Sequence, residues 1–180
     1  ERPDSDIDAL IVVTEEKYQK LASENRLAEV IPGHCTYEGG YFDVKYKTKA
    51  ILQESALHAS EPTRNAYVKA RVLYSADPDI AAVEKIAAYP EHELDAKIRC
   101  FNANLQLNRG YFLHCVPEEN AYMRAHLAQE IVYRVYRLIL AENRGLFPCN
   151  RRLEETVKKC RKRPENILSL GAAFLKDINE

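Results

Sequence analysis

Three aspartates, Asp6, Asp8 and Asp43, have the side-chain type and the positions that a metal site requires. Asp6 and Asp8 are two residues apart at the start of an apolar run, and side chains at that spacing leave the same face of a β-strand, with Cα atoms about 7 Å apart. Asp43 interrupts the apolar segment from Tyr41 to Val44, where an unpaired carboxylate would be costly to desolvate. Asp43 therefore needs a cationic partner.

If the two segments form neighbouring strands, the three carboxylates predict a Mg²⁺ site. Two like charges about 4 Å apart repel by about 4 kcal/mol at an effective dielectric of about 20, and a bound cation removes that penalty. Mg²⁺ is held by a few carboxylates together with substrate phosphates, so phosphoryl or nucleotidyl transfer is the chemistry that this site predicts. The alternative is that the Asp-Ser-Asp-Ile-Asp string only forms a turn before the strand.

The first two aspartates are positioned by a predicted strand from Ile7 to Val13, which is short, rich in β-branched residues and too apolar for an exposed edge. Thr14 can cap the helix that follows, which should end near Asn25. From Cys35 to Lys47 we expect a hairpin broken at Gly39 and Gly40, with Tyr41–Tyr46 as its second strand. Further predictions are a helix over 49–57, a strand over 68–74, and a helix that begins at Asp77-Pro78 and ends near Ala88.

Beyond Pro90 the apolar spacing becomes helical, so we place a domain boundary there. A first helix carries Leu94, Ile98, Phe101 and Leu105 on one face. A second helix opens at Pro117, has a wide apolar stripe from Tyr122 to Ile139, and ends at Gly145; two shorter helices follow. The predicted fold is α+β: residues 1–90 form a small mixed β-sheet flanked by helices, and residues 91–180 form an α-helical bundle.

Composition limits the partners of this protein. It has 26 Lys and Arg against 27 Asp and Glu, a net charge of -1, so it has no global positive field that would attract nucleic acid or an anionic membrane. We therefore expect neither partner. The five cysteines are odd in number and never occur as CxxC pairs, which favours reduced, mostly buried thiols over a disulfide framework or a zinc site. A cytoplasmic protein is expected.

The segment Ser5-Asp6-Ile7-Asp8, followed by an aliphatic run to Val13, resembles the second half of the signature of the DNA polymerase beta-like nucleotidyltransferase superfamily. Phe42-Asp43-Val44 is similar to the pattern that supplies the third acid of that family. The segment 72–77 resembles the strand and turn that follow in small bacterial members of the aminoglycoside or kanamycin nucleotidyltransferase type. A helical domain like that from Glu91 onward commonly closes such proteins.

The resemblance implies that Asp6 and Asp8 bind Mg²⁺ that bridges a nucleoside triphosphate, with ATP as the expected co-substrate. Asp43 would complete the metal site or act as general base on the acceptor hydroxyl, and these two roles stay open. Ser5 and Arg2 are the expected nucleotide-binding residues, although an arginine at this place is more often merely solvated. The resemblance also implies a Gly-Ser turn upstream of the acids that grips the triphosphate; we expect that the core lacks this N-terminal part or that the protein lacks the turn.

The expected function is transfer of a nucleoside monophosphate to a hydroxyl of a small molecule, with release of pyrophosphate. Alternatives are a protein or RNA acceptor, or a non-catalytic interaction module. Glu130 could act as an acceptor-site base, but a surface glutamate that pairs with Arg134 and Arg137 is the favoured interpretation. The apolar stripe of the second long helix is wide enough to leave a homodimer open. Neither the acceptor nor the preferred nucleotide follows from the sequence.

Overall fold

The computed structural model describes residues 6–77 and 82–178. The described chain divides into two compact units. The first unit is the chain up to Ala59 together with Ala70–Ile86, and the second is Ser60–Lys69 together with the chain from Ala87 onward. These units differ from the predicted domains in the segment 60–69. The sequence analysis placed that segment with the sheet, whereas in the structure it belongs to the second unit.

The first unit contains a mixed sheet of three strands: β1 (Ile7–Val13), β2 (Ala28–Pro32) and β3 (Tyr41–Thr48). The strand order is β1-β3-β2, so β3 lies in the centre of these three strands and β1 at their edge. The expectation that β1 is too apolar for an exposed edge is wrong, because Ile7 and Ile11 are both 42% exposed. It pairs in parallel with β1 and antiparallel with β2. A mixed sheet with helices confirms the α+β class.

Eight helices are described across residues 6–77 and 82–178. They are α1 (Glu15–Ser23), α2 (Lys49–His58), α3 (Glu61–Tyr67), α4 (Ala82–Ile86), α5 (Leu94–His114), α6 (Ala121–Glu142), α7 (Leu153–Lys159) and α8 (Ile167–Lys176). Thr14 caps α1 as expected, because its hydroxyl accepts a hydrogen bond from the backbone N–H of Lys17 at 3.3 Å. Thr48 caps α2 in the same way through the N–H of Ile51.

The two faces of β3 differ in burial. Val44 and Thr48 are buried, and helices α1 and α2 both contact this strand. Asp43 and Lys45 alternate with them and therefore point to the opposite face, where their side chains are 28% and 50% exposed. We call the face that carries Asp8, Asp43 and Lys45 the open face of the sheet. Side chains on it are accessible to solvent and ligands.

The predicted hairpin is correct in its second strand and wrong in its first. Residues 35–40 form bends and a turn, and the strand that pairs with β3 is β2, which ends at Pro32. The connection between β2 and β3 consists of residues 33–40. Near its two ends, Gly33 and Gly39 have positive φ angles of 82° and 76°, a conformation that suits glycine. The connection is therefore a loop of several residues and not a tight turn at Gly39-Gly40.

The strand predicted over 68–74 is wrong. This segment has no regular structure apart from a turn, and Leu73 and Tyr74 are 93% and 85% exposed. Apolar residues form a strand only where a neighbouring strand can pair with them. The sequence also missed α3, in which Pro62 lies in the first turn of the helix, where proline is tolerated. The expected helix start at Pro78 lies outside the described residues, and the helix itself, α4, ends at Ile86 rather than near Ala88.

The second unit is helical. Its larger apolar cluster joins α6 to α7, and α8 packs against it through partly buried residues; its buried members are Val132, Tyr136, Ile139, Leu140, Leu153 and Val157. A smaller cluster consists of Phe112, Leu127 and Ala128. The face predicted for α5 is confirmed, with Phe101 buried and Leu94, Ile98 and Leu105 half-buried. The helical period thus identified the core of this unit.

Two details of α6 differ from the prediction. The helix begins at Ala121, capped by the Asn120 side chain, and not at Pro117; Tyr122 is 79% exposed and does not belong to the apolar stripe. At its other end α6 stops at Glu142, and the N–H of Gly145 donates to the carbonyl of Leu140 at 2.8 Å. Gly145 therefore does help to terminate the helix, as predicted.

Glu61 is the centre of a buried polar network in the second unit. Only 6% of its side chain is exposed. One carboxylate oxygen accepts hydrogen bonds from Lys97 Nζ at 2.8 Å and Arg137 Nη2 at 3.0 Å, and the other accepts from the backbone N–H of Phe147 at 2.7 Å. The Arg137 guanidinium also lies 4.5 Å from the ring centroids of Phe101 and Phe147. Both oxygens of this carboxylate are thus used.

Gly171 of α8 lies against the end of the Tyr136 side chain. A Cβ at this position would be 2.5 Å from Tyr136 Oη, which is buried. Gly171→Ala should therefore cost about 1–3 kcal/mol through overpacking, partly offset by the gain of about 1 kcal/mol in helix propensity. Chemical denaturation followed by circular dichroism measures the net change in the free energy of unfolding.

Gly110→Ala in α5 is the matched control, because a Cβ there would meet no atom within 4 Å. It should stabilise the protein by up to about 1 kcal/mol. The helix-propensity gain cancels between the two variants, so their difference reports the overpacking. In a Tyr136→Phe background, which lacks the hydroxyl, the cost of Gly171→Ala should shrink; an unchanged cost would show that Tyr136 is not the obstacle.

Candidate functional site

Asp8 and Asp43 lie side by side on the open face. They are direct partners in the parallel register of β1 and β3, in which each residue of β1 faces the residue 35 positions later in the chain. Partners in a parallel ladder point to the same face of the sheet. The two carboxylates therefore meet, although α1 and β2 separate them in sequence.

The ammonium group of Lys45 bonds to both of these carboxylates. Lys45 Nζ is 2.8 Å from Asp43 Oδ2 and 3.4 Å from Asp8 Oδ1. The hydrogen bond to Asp43 raises the pKa of Lys45 above its ordinary value, and the negative charges of Asp43 and Asp8 raise it further. Lys45 is therefore a cation at neutral pH. The pair of aspartates has the cationic partner that an acid in this position requires.

Asp6 is held by a different residue of β3. The hydroxyl of Tyr41 donates to Asp6 Oδ2 at 3.4 Å. The negative charge of Asp6 raises the pKa of Tyr41, as do partial burial and this hydrogen bond, so the phenol keeps its proton and remains a donor. All three predicted acids thus lie beside β3, two of them at Lys45 and one at Tyr41.

The carboxylate oxygens on the open face supply some, but not all, of the ligands that a metal cation needs. Asp8 and Asp43 present oxygen atoms to one shared positive group, which is the chemistry that Mg²⁺ requires. Among residues 6–77 and 82–178, however, no three His, Cys, Asp or Glu side chains are grouped closely enough to hold a metal ion. Ser5 and Arg2, the predicted nucleotide-binding residues, lie outside the described residues.

Tyr41 and Lys45 are site residues that the sequence analysis missed. They lie on β3 two residues before and two residues after Asp43. The signal was present in the sequence, because residues separated by two positions on a strand share a face. It would have been found by listing the polar residues in phase with Asp43.

Glu130 is paired within its own helix. Arg134 Nη2 donates to Glu130 Oε2 at 2.6 Å, which confirms this part of the favoured interpretation. The predicted pairing with Arg137 is wrong, because Arg137 donates to Tyr133 Oη at 2.7 Å and to Glu61. Glu130 also lines a cleft in the second unit.

A cleft of about 780 Å³ lies within the second unit, and Glu130 lines it. Its walls include the aromatic side chains of Tyr133, Tyr136 and Phe147, and Glu154 adds a second carboxylate. Clefts that hold small molecules commonly have volumes of about 300–1,000 Å³. The volume of this cleft falls within that range, and the cleft is wide open to solvent.

Comparison with protein-family models gives no match, and comparison with curated proteins gives none either. None of the described helices has the length and apolarity that a bilayer-spanning segment needs. The five cysteines are free thiols, but the expectation that most of them are buried is wrong, because Cys100 and Cys115 are exposed and the other three are half-buried. The likeness to the nucleotidyltransferase superfamily therefore stays a prediction, and the function is inferred from the site itself.

Proposed function

We propose that this protein is a Mg²⁺-dependent nucleotidyltransferase of the DNA polymerase beta-like type that modifies a small-molecule hydroxyl in the cytoplasm. The observation that carries this proposal is the pairing of Asp8 with Asp43 across β1 and β3, with both carboxylates directed at one cation. Two acids from separate strands on an accessible face can bind a divalent ion and the phosphates of a nucleotide together. Free cysteines throughout agree with a reducing compartment.

Asp8 and Asp43 would hold Mg²⁺, and Asp6 would join them after leaving Tyr41. Mg²⁺ held by these residues would supply positive charge for the triphosphate and for the leaving pyrophosphate. In the proposed transfer the acceptor oxygen would form a bond to the α-phosphorus, the bond to pyrophosphate would break, and the hydroxyl proton would pass to water. We assign the Asp43 carboxylate to the metal rather than to proton transfer, because Lys45 bonds it together with Asp8. Tyr41 supplies a hydrogen-bond donor at the same edge of the site.

A small molecule is the proposed acceptor class. The resemblance of the segment 72–77 to small bacterial members of the aminoglycoside or kanamycin nucleotidyltransferase type supports this choice. The triphosphate is proposed to be ATP.

Binding of Mg²⁺-ATP tests the proposal. The variant Asp6→Ala plus Asp8→Ala should bind Mg²⁺-ATP at least about tenfold more weakly than the native chain, because even indirect partners of a metal change its affinity by 10–100-fold. Isothermal titration calorimetry measures the affinity with and without Mg²⁺. Asp95→Ala plus Asp177→Ala, which removes two exposed charges from the helical unit, is the matched control. Equal binding by the native chain and the first variant would contradict the proposal.

A non-catalytic interaction module is the second candidate function. It is favoured by Lys45, since an ammonium that already neutralises Asp8 and Asp43 stabilises the acids without any metal. In that case Mg²⁺ would not affect ATP binding by the native chain, which the same titration measures.

A further inference from the structure

Lys45 reaches the two carboxylates by folding back along the open face. In the register of the sheet Lys45 pairs with Leu10, one same-face step beyond the pair of Asp8 and Asp43. Its side chain must therefore run back toward that pair to place Nζ at 2.8 Å from Asp43 and 3.4 Å from Asp8. This position lies between the oxygens that a bound metal would use.

We propose that Lys45 is the resident counter-ion of Asp8 and Asp43, and that a divalent cation binds there by displacing its ammonium group. This inference rests on the proposed function, because it concerns the same metal site. The two cations compete for the same oxygens: an ammonium bonds them at hydrogen-bond distance, whereas Mg²⁺ requires them at about 2.1 Å. One ammonium balances only one of the two negative charges. The remaining charge attracts the divalent ion.

Displacement of Lys45 leaves no buried group without a partner. Its side chain is 50% exposed, so the ammonium can leave the carboxylates for water. Lysine has three donors on a flexible stem and no acceptor, which suits a phosphate oxygen as well as a carboxylate. Lys45 thus becomes free to neutralise the triphosphate at the moment when the metal enters. The same residue would serve the acids before nucleotide binding and the phosphates after it.

The affinity for Mn²⁺ alone, without nucleotide, tests this exchange. Lys45→Met removes the charge and keeps most of the side-chain length, and we expect it to bind Mn²⁺ about tenfold more tightly than the native chain does, since a competing unit charge has been removed at close range. Lys47→Met is the matched control: it makes the same change on the same face of β3, one step further from the acids, and Lys47 has no described ion pair with them. Its Mn²⁺ affinity should change less than about twofold, because Lys47 does not occupy the carboxylate oxygens and its charge acts on them only from a greater distance. Lys45→Arg, which keeps the charge, should give no tenfold gain.

The outcomes separate this inference from the proposed function. Tighter Mn²⁺ binding by Lys45→Met than by Lys47→Met supports the exchange, as does Mn²⁺ binding that occurs only in Lys45→Met. A different result would have three parts: the native chain binds Mn²⁺, Asp8→Asn abolishes that binding, and Lys45→Met does not strengthen it. In that case the counter-ion role is wrong while the metal site stands. If neither the native chain nor Lys45→Met binds Mn²⁺ alone, the exchange is wrong, and the Mg²⁺-ATP titration of the Asp6→Ala plus Asp8→Ala variant decides the proposed function separately. Circular dichroism verifies folding, and Lys45→Gln replaces Lys45→Met should the latter fail to fold.

Discussion

Asp43→Asn is expected to weaken Mn²⁺ binding by at least about 100-fold, as much as Asp8→Asn does. The two residues are register partners and bond the same ammonium, so each contributes one carboxylate to the same place. Asparagine keeps the shape of the side chain and removes its charge. Changes to residues that only support a metal ligand already cost about 10–100-fold in affinity, and loss of a ligand itself should cost more.

Isothermal titration with Mn²⁺ measures this effect. Asp77→Asn is the matched control, because Asp77 also forms an ion pair in the first unit, with Lys49 Nζ at 2.8 Å, but lies outside the proposed site. The Asp77 variant should bind Mn²⁺ as the native chain does. If Asp43 served instead as a general base, Asp43→Asn would bind Mn²⁺ normally and lose only the transfer of nucleotide to the acceptor. That pattern would overturn the assignment of Asp43 to the metal.

Glu61→Gln should destabilise the protein by about 3–5 kcal/mol, the usual cost of removing one partner from a buried ion pair. Glutamine keeps one acceptor oxygen, so it cannot serve both the cations and the backbone N–H of Phe147, which bond different oxygens of Glu61. It also removes the negative charge that balances Lys97 and Arg137, whose side chains are 18% and 11% exposed. Two cations would then lie close together with little water to solvate them. For a chain of this size the midpoint of thermal unfolding should fall by roughly 6–20 °C. Circular dichroism at the helical band measures it.

The control for this prediction is Glu93→Gln. Glu93 also pairs with Lys97, at 2.7 Å, but its side chain is 38% exposed. Exposed ion pairs contribute less than about 1 kcal/mol, so the midpoint should change by only a few degrees. If Glu61→Gln had an equally small effect, the network around Glu61 would not be a source of stability.

The local parts of the candidate site could be predicted from the sequence. A β-branched run after an Asp-x-Asp pair predicted β1. Alternation along β3 places Asp43 on the face of the sheet opposite to that of the buried residue Val44. The pairing of β1 with β3 could only be assumed, because it depends on which strands become neighbours. That choice is made by tertiary packing and not by local propensity. The ammonium of Lys45 between the acids follows from the same pairing.

The errors in the fold have physical reasons of the same kind. Strand β2 is short, alternates weakly and ends in Pro32, so its sequence looks less like a strand than the loop residues near Cys35 do. Helix α3 has a proline, Pro62, in its first turn, and proline breaks a helix at interior positions. Glu61 looks like an ordinary surface acid, because Lys97, Arg137 and Phe147 lie far from it in the sequence. No local pattern can predict contacts over such separations.

The parallel register of β1 and β3 makes the site sensitive to the length of one strand and tolerant of length changes nearby. An extra residue between Gly33 and Gly40 would enlarge a loop and leave every strand pair intact. An extra residue between Asp43 and Val44 would turn the Asp43 carboxylate to the covered face, away from Asp8, or force a bulge in the central strand. Natural variation in length is therefore expected in the loop and excluded from the strand.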